Sequence, residues 1–300
     1  MTSSPIDSRS LVARLEGGLI PAVPVPFRGA TIAAEAQHAY ARWMAGQEIA
    51  GVAVWAHTGR GPHLSEGQRR TVLDVWRDSL PDRAIVAGAA TLDMARAARA
   101  GGADALLAFP RVVDPVGWHA ALGAELPVIA FYLYEAAGGV SYDDATLAAI
   151  LALPSVIGIK VATLDSVMTF QRIAALLRDV PGKLLITGED RFLGYSILMG
   201  ARAALVGMGA ALTDLQCALL RSRVEGDDIR FNRLLDILDR FAQATFVSPM
   251  EGYVRRMLWA AAADGVLPAD ACDDPWAPPE APGERDAVIR AVHDARAAGR

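Results

Sequence analysis

Of the 29 basic residues in this 300-residue chain, only Lys160 and Lys183 are lysine. One of the two stands inside an apolar run, Val156-Ile157-Gly158-Ile159-Lys160-Val161-Ala162. An arginine stays protonated at every accessible pH, whereas a lysine kept from water loses its proton readily and becomes a nucleophile. Such an amine condenses with a ketone. The protonated imine then draws electrons from the bonds next to it, so carbon–carbon chemistry proceeds without a metal. A lysine here could instead reach out to a rim, or pair with a carboxylate such as Glu189. Position alone leaves these readings open.

Three further groups could work beside it. Tyr132 and Tyr134 stand two apart in the run 128–134, so in a strand they share a face. A phenol beside an imine relays protons, though two aromatics on one strand also serve as plain core filling. The segment His57-Thr58-Gly59-Arg60-Gly61 offers a hydroxyl and backbone amides as an anion cradle, suited to a carboxylate. In it His57 could act as base or donor, or the segment could be only a glycine turn. Arg60 and Arg111 suit an anionic distal group if they are not simply solvated, and Glu135 could pair with either. Thr187 and Val206, in the runs 183–189 and 203–209, complete the candidate substrate contacts.

Eight apolar runs must position these residues: 18–27, 51–57, 84–90, 105–110, 128–134, 156–163, 183–189 and 203–209. They are continuously hydrophobic rather than alternating, as expected for parallel strands covered on both faces. Helical patterns lie between them. Examples are 33–47, a segment opened by the capping-box pair Ser65 and Gln68, 94–100 capped by Thr91 or Asp93, 145–153 started at Ser141, and 168–180 started at Asp165 or Ser166. Strand and helix in alternation predict a (β/α)8 TIM barrel, with a doubly wound sheet as the second choice. Beyond residue 212 the runs 212–225, 228–245, 251–264 and 285–298 read as helices, around a proline-rich loop at 273–284. The expected organisation is an N-terminal segment 1–16, a barrel over 17–211 and a C-terminal helical extension over 212–300. In such a barrel the chemistry sits at the C-terminal ends of the strands, where all the candidates above fall.

Composition narrows the function classes. At 53% hydrophobic and 21% charged the chain is no disordered polymer. A net charge of −5 gives no electrostatic reason to expect nucleic acid or anionic membrane as partner. No apolar run reaches the ~18 residues of a membrane span. The N-terminus lacks a signal peptide's apolar stretch, which points to the cytoplasm. Cys217 and Cys272 are far apart, and His38, His63, His119 and His293 are scattered without a His-Glu-x-x-His motif. No metal and no cofactor are therefore expected.

The succession G-L-I-P-A-V-P-V-P-F, H-T-G-R-G-P-H-L-S-E-G-Q-R, G-A-D-A-L-L-A-F-P, F-Y-L-Y-E-A-A-G-G, V-I-G-I-K-V-A-T, T-G-E-D and G-A-R-A-A-L-V-G-M-G resembles the dihydrodipicolinate synthase/N-acetylneuraminate lyase superfamily over roughly residues 17–260. The resemblance implies a (β/α)8 barrel with C-terminal helices, usually a homotetramer. It also implies aldolase-type chemistry on pyruvate or related 2-keto acids through a lysine Schiff base. Lys160 falls on the Schiff-base lysine, Tyr132, 28 residues earlier, on the catalytic tyrosine, and Thr58 on the hydroxyl residue that holds the keto-acid carboxylate.

Four departures stand out. His57 replaces the loop's first Thr or Ser, and Arg60 replaces its glutamate. Arg111-Val112 stand where a Tyr-Tyr pair completes a proton relay between subunits. The segment 133–139 lacks the arginine that binds the synthases' second substrate. The expectation is a Schiff-base lyase or aldolase of a 2-keto acid, not a true dihydrodipicolinate synthase. The alternatives are a Schiff-base dehydratase of a sugar-derived keto acid and a non-catalytic keto-acid-binding protein on the same fold. Expected partners are a pyruvate-like 2-keto acid and further copies of the chain, as tetramer or dimer.

Overall fold

The computed structural model describes residues 8–164, 166–178 and 180–299. After a small hairpin, β1 (Phe27–Arg28) and β2 (Thr31–Ile32), seven parallel strands follow in sequence order around one sheet. They are β3 (Gly51–Val54), β4 (Ala84–Ala89), β5 (Ala105–Ala108), β6 (Val128–Leu133), β7 (Val156–Ala162), β8 (Leu184–Thr187) and β9 (Ala203–Ala204). The ring closes through segment 18–23. Leu19 bridges Ala204 on one side and Ala22 bridges Ala53 on the other, both in parallel sense. Ile20 N donates to Ala204 O at 2.7 Å and Ala53 N to Pro21 O at 2.8 Å. This eighth stave is no regular strand. Pro21, Pro24 and Pro26 contribute no N–H, so a full ladder cannot form along it. The predicted (β/α)8 barrel with a C-terminal helical extension is the fold observed.

Alternation sorts the barrel side chains into two layers. Ala53, Val86, Leu107, Ile129, Phe131 and Ile186 belong to the inner core. Val54, Ala87, Leu106, Ala130, Tyr132 and Val161 belong to the layer between sheet and helices. The helices behave as their caps dictate. Ser65 and Gln68 form the full reciprocal capping box on helix Glu66–Ser79. Thr91 caps Leu92–Ala100 through Met94 N. Helix Asp144–Ala152 is capped by Asp143 rather than started from Ser141, since Asp143 accepts from Thr146 N. Of the two starts read for the helix Val167–Arg178, Ser166 Oγ accepts from Thr169 N at 3.2 Å, and Asp165 lies outside the described residues.

Three helices escaped the periodicity: Pro115–Gly123, Leu193–Leu198 and, in the N-terminal segment, Ser8–Leu15. The last run, 203–209, keeps only two strand residues before a 3-10 turn at Gly207–Ala210. Helices Thr213–Glu225, Asp228–Thr245, Tyr253–Ala263 and Glu284–Ala298 form the C-terminal extension. Their Leu219, Phe231, Met257 and Val288 are buried in the same core as the outer barrel layer. No helix among the described residues is long and apolar enough to cross a membrane.

Candidate active site

Lys160 points into the barrel near the C-terminal ends of the strands and is 6% exposed. Gly158 does not make its room. A Cβ there would strike Leu184 O at 2.4 Å, so that glycine allows β7 and β8 to approach. The space comes from Gly188, where a Cβ would stand 2.5 Å from Lys160 Cε. The Nζ lies 4.3 Å from the centre of the Phe131 ring. Among the described residues no carboxylate oxygen comes within 4.0 Å of it. Burial lowers its pKa to about 8, against the partial support of Asp190 and Glu189. At neutral pH a usable fraction is therefore the free amine.

Around the nitrogen is a small cavity of about 30 Å³, lined among others by His57, Thr58, Phe131, Leu133, Tyr134, Gly188, Glu189, Asp190, Gly207, Phe246 and Tyr253. Strand β3 delivers the first two. Trp55 turns the chain at φ 56°, and the glycines at 61 and 88 let its carbonyl pack where any Cβ would collide. Thr58 is 5% exposed. Arg60 N and Gly61 N are already committed to His57 O and Ala56 O. His57 is held neutral, its pKa lowered to about 4 by burial and then by Arg60 and Lys160.

The two buried acids differ. Glu189 accepts from Thr163 N at 2.5 Å, Thr163 Oγ1 at 2.8 Å and Leu164 N at 3.1 Å. Leu164 itself is held at φ 74°, a left-handed conformation costly for a leucine, at the cavity wall. Burial raises the Glu189 pKa to about 7, outweighing those hydrogen bonds. Asp190 accepts from Tyr253 Oη at 2.6 Å and from Met208 N at 2.9 Å. Its pKa is also raised by burial, with Lys160 among the groups opposing the shift. Tyr253 begins helix Tyr253–Ala263 and stacks edge-on with Phe246 at 4.9 Å. Fully buried Arg256 fixes that corner, donating to Thr245 O at 3.1 Å, Val247 O at 2.7 Å and Pro249 O at 2.7 Å.

The structure gathers His57, Thr58, Tyr134 and Lys160 around one cavity. It places the other predicted residues elsewhere. Tyr132 faces the helices, not the lumen. Phe131 pairs with Lys160 across the sheet and Tyr132 with Val161, so the residue sharing the lysine's face is a phenylalanine. The Tyr132 hydroxyl instead lies 3.4 Å from Arg172 Nη2. The expectation that Tyr132 and Tyr134 share a face fails because β6 ends at Leu133, and alternation ends with it. Arg60, at φ 52°, turns away into a buried ion pair with Asp274, with Nε–Oδ1 at 3.1 Å and Nη2–Oδ2 at 2.5 Å, and also donates to Glu251 O. It ties the loop to the C-terminal extension. Thr187 sits on the outer face, its hydroxyl bound to Ser196 Oγ at 2.7 Å and Glu189 N at 3.1 Å. Val206 packs in the outer layer, leaving Gly207 at the cavity. Gly59 nestles against Val23 O and Trp55 N behind the cradle. Glu135 is exposed at the head of a 3-10 turn, and Arg111 is exposed and stacked 4.1 Å over Trp118. Sequence reasoning missed Tyr253, which lies outside the strand ends. Asp190 and Gly188 were in view there but were not singled out. No group of His, Cys, Asp and Glu able to hold a metal is found among the described residues.

A closed parallel barrel with a desolvated lysine near the C-terminal ends of its strands is an architecture able to carry imine chemistry. No family model matches the chain. Over 255 residues it is 27% identical to the 4-hydroxy-tetrahydrodipicolinate synthase of Ruegeria pomeroyi, covering 77% of this chain and 84% of that one. The wild-type sialic acid aldolase of Ruminococcus gnavus superposes with a TM-score of 0.82 at 17% identity, over 95% of this chain and 98% of its own. The dihydrodipicolinate synthase of Oceanobacillus iheyensis gives 0.80 at 17% identity, over 97% and 100%. The chain is thus similar in sequence to a 4-hydroxy-tetrahydrodipicolinate synthase and shares the fold of dihydrodipicolinate synthases and sialic acid aldolases.

Proposed function

We propose that the chain is a Schiff-base lyase of aldolase type acting on pyruvate or a related 2-keto acid. One observation carries this reading: the Lys160 amine is buried in a cavity, free of any close carboxylate among the described residues and partly deprotonated near neutral pH. The amine adds to the keto carbon, water leaves, and the resulting iminium withdraws electrons from the adjacent carbon. The Thr58 hydroxyl holds the substrate carboxylate, and neutral His57 orients or shuttles a proton beside it. Aldol cleavage, condensation and dehydration share this intermediate. Admitting a three-carbon acid requires the half-buried Tyr134 and Phe246 to swing aside, because the cavity holds only about two waters. The same reading takes the chain as a cytoplasmic homo-oligomer, with 17–211 and 212–300 as barrel and helical parts.

The test is proton exchange. In D2O the protein should exchange the methyl protons of pyruvate through the enamine, seen as loss of the methyl signal by NMR. Lys160→Ala should abolish the exchange. Exchange that survives in Lys160→Ala, or is absent with wild type for pyruvate and for other small keto acids, overturns the reading.

A further inference from the structure

Imine formation from a neutral amine and a ketone consumes one proton net: R–NH2 + O=C + H⁺ gives R–NH⁺=C + H2O. The carbinolamine hydroxyl leaves as water only if something protonates it. The residue opposite Lys160 on β6, Phe131, has no proton to give. The hydroxyl nearest in the sequence pattern, Tyr132, is on the far side of the sheet beside Arg172.

We propose that Tyr253, backed by Asp190, supplies this proton from the C-terminal extension, a role that rests on the Schiff-base reading above. The geometry is specific. The Tyr253 hydroxyl lines the Lys160 cavity and meets Asp190 Oδ1 at 2.6 Å. Tyr253 Oη and Thr58 Oγ1 stand 2.6 and 2.8 Å from the point a Cβ on Gly207 would occupy, so Gly207 leaves open the space between relay and carboxylate anchor. Phe246 and Arg256 hold the phenol in place. In the step, the Tyr253 hydroxyl, which in the resting site donates to Asp190 Oδ1, turns to give its proton to the departing hydroxyl, and protonated Asp190 passes its own proton to the Tyr253 oxygen. The C–O bond breaks, water leaves, and Asp190 is left as the carboxylate facing the new iminium. A neutral amine and a neutral acid thus become an ion pair, with no net change in buried charge.

The charged and titratable groups around the relay are Lys160 on β7, Glu189 beside Asp190, Tyr134 at the end of β6, His57 after β3 and Arg256 on Tyr253's own helix. Burial raises the pKa of both Asp190 and Tyr253, which favours their protonated forms.

The experiment measures the rate at which borohydride traps pyruvate on the protein, as a function of pH, by intact mass. Wild type should show a bell-shaped profile, rising with the free amine and falling as Asp190 ionises. Tyr253→Phe should trap about 10²-fold more slowly yet still on Lys160. Asp190→Asn should keep the rising limb and lose the falling one. Phe131→Tyr placed in the Tyr253→Phe background should restore much of the rate, a rescue that a packing role for Tyr253 cannot produce. If Tyr253→Phe does not fold, the Asp190→Asn profile decides alone. Wild-type rate and profile in Tyr253→Phe and Asp190→Asn overturn the relay and leave the Schiff base standing. A slow Tyr253→Phe with an unchanged profile and no rescue also overturns it. No trapping by wild type removes both.

Discussion

The two ends of the barrel close in opposite ways, and the chain's two lysines mark them. At the N-terminal end, helix Ser8–Leu15 presses Leu11 and Leu15 into the inner core, and Lys183 donates to the carbonyls of Leu153, at 2.9 Å, and Val156. Burial lowers the pKa of Lys183 too, but its ammonium is only half-buried and keeps two carbonyl acceptors in place of lost water. At the C-terminal end Lys160 meets an aromatic face and the space left by a glycine, with its carboxylate neighbours beyond contact distance. The same side chain is a clamp at one end and, in the proposed function, the nucleophile at the other. The difference lies in whether hydrogen-bond acceptors compensate the lost hydration.

Several substitutions would break or sharpen this contrast. Gly188→Ala should have the largest effect on chemistry. Its Cβ displaces the Lys160 side chain, and imine formation should fall on the order of 10²-fold while the fold persists, read as trapping rate against the circular dichroism melt. Leu15→Ala should do the reverse. Opening a cavity in the opposite plug should cost about 2–5 kcal/mol by denaturant melts and leave the trapping rate intact.

The third prediction concerns pH. The folded-state pKa of Lys160 is lowered to about 8 from 10.5, so between those values the unfolded chain binds the extra proton. Stability contributed at this site therefore rises as pH climbs from about 8 to 10.5. Lys160→Met should melt higher than wild type at pH 7, and the gap should narrow by pH 10.5; a gap independent of pH contradicts the assignment. The smallest effect belongs to Tyr132→Phe. Among the described residues its hydroxyl makes only a 3.4 Å contact, outside the lumen, so trapping should stay within about twofold of wild type.

The barrel was legible because parallel strands covered on both faces need uninterrupted apolar runs, and eight of them stand in the chain. The caps at Ser65 and Thr91 were legible because a hydroxyl must accept a free helix N–H. The eighth stave kept its place but lost its regularity to prolines. The site was legible where a residue's own strand decides its facing, as with Lys160. It was not legible where facing depends on a neighbour. Between Val128 and Ile129 the β6–β7 register slips past Ile157, and such a shift exchanges the faces that two paired strands present to each other. No spacing within one segment reveals that Phe131, not Tyr132, meets the lysine. Tyr253 was hidden for a different reason: it reaches the cavity from the helical extension, 93 residues beyond Lys160.

The most direct test of the central claim is to treat the protein with pyruvate and borohydride and map the reduced adduct by peptide mass spectrometry. The account predicts a single modified residue, Lys160, with Lys183 untouched. Modification of Lys183 in its place, or no adduct with any small 2-keto acid, would contradict it.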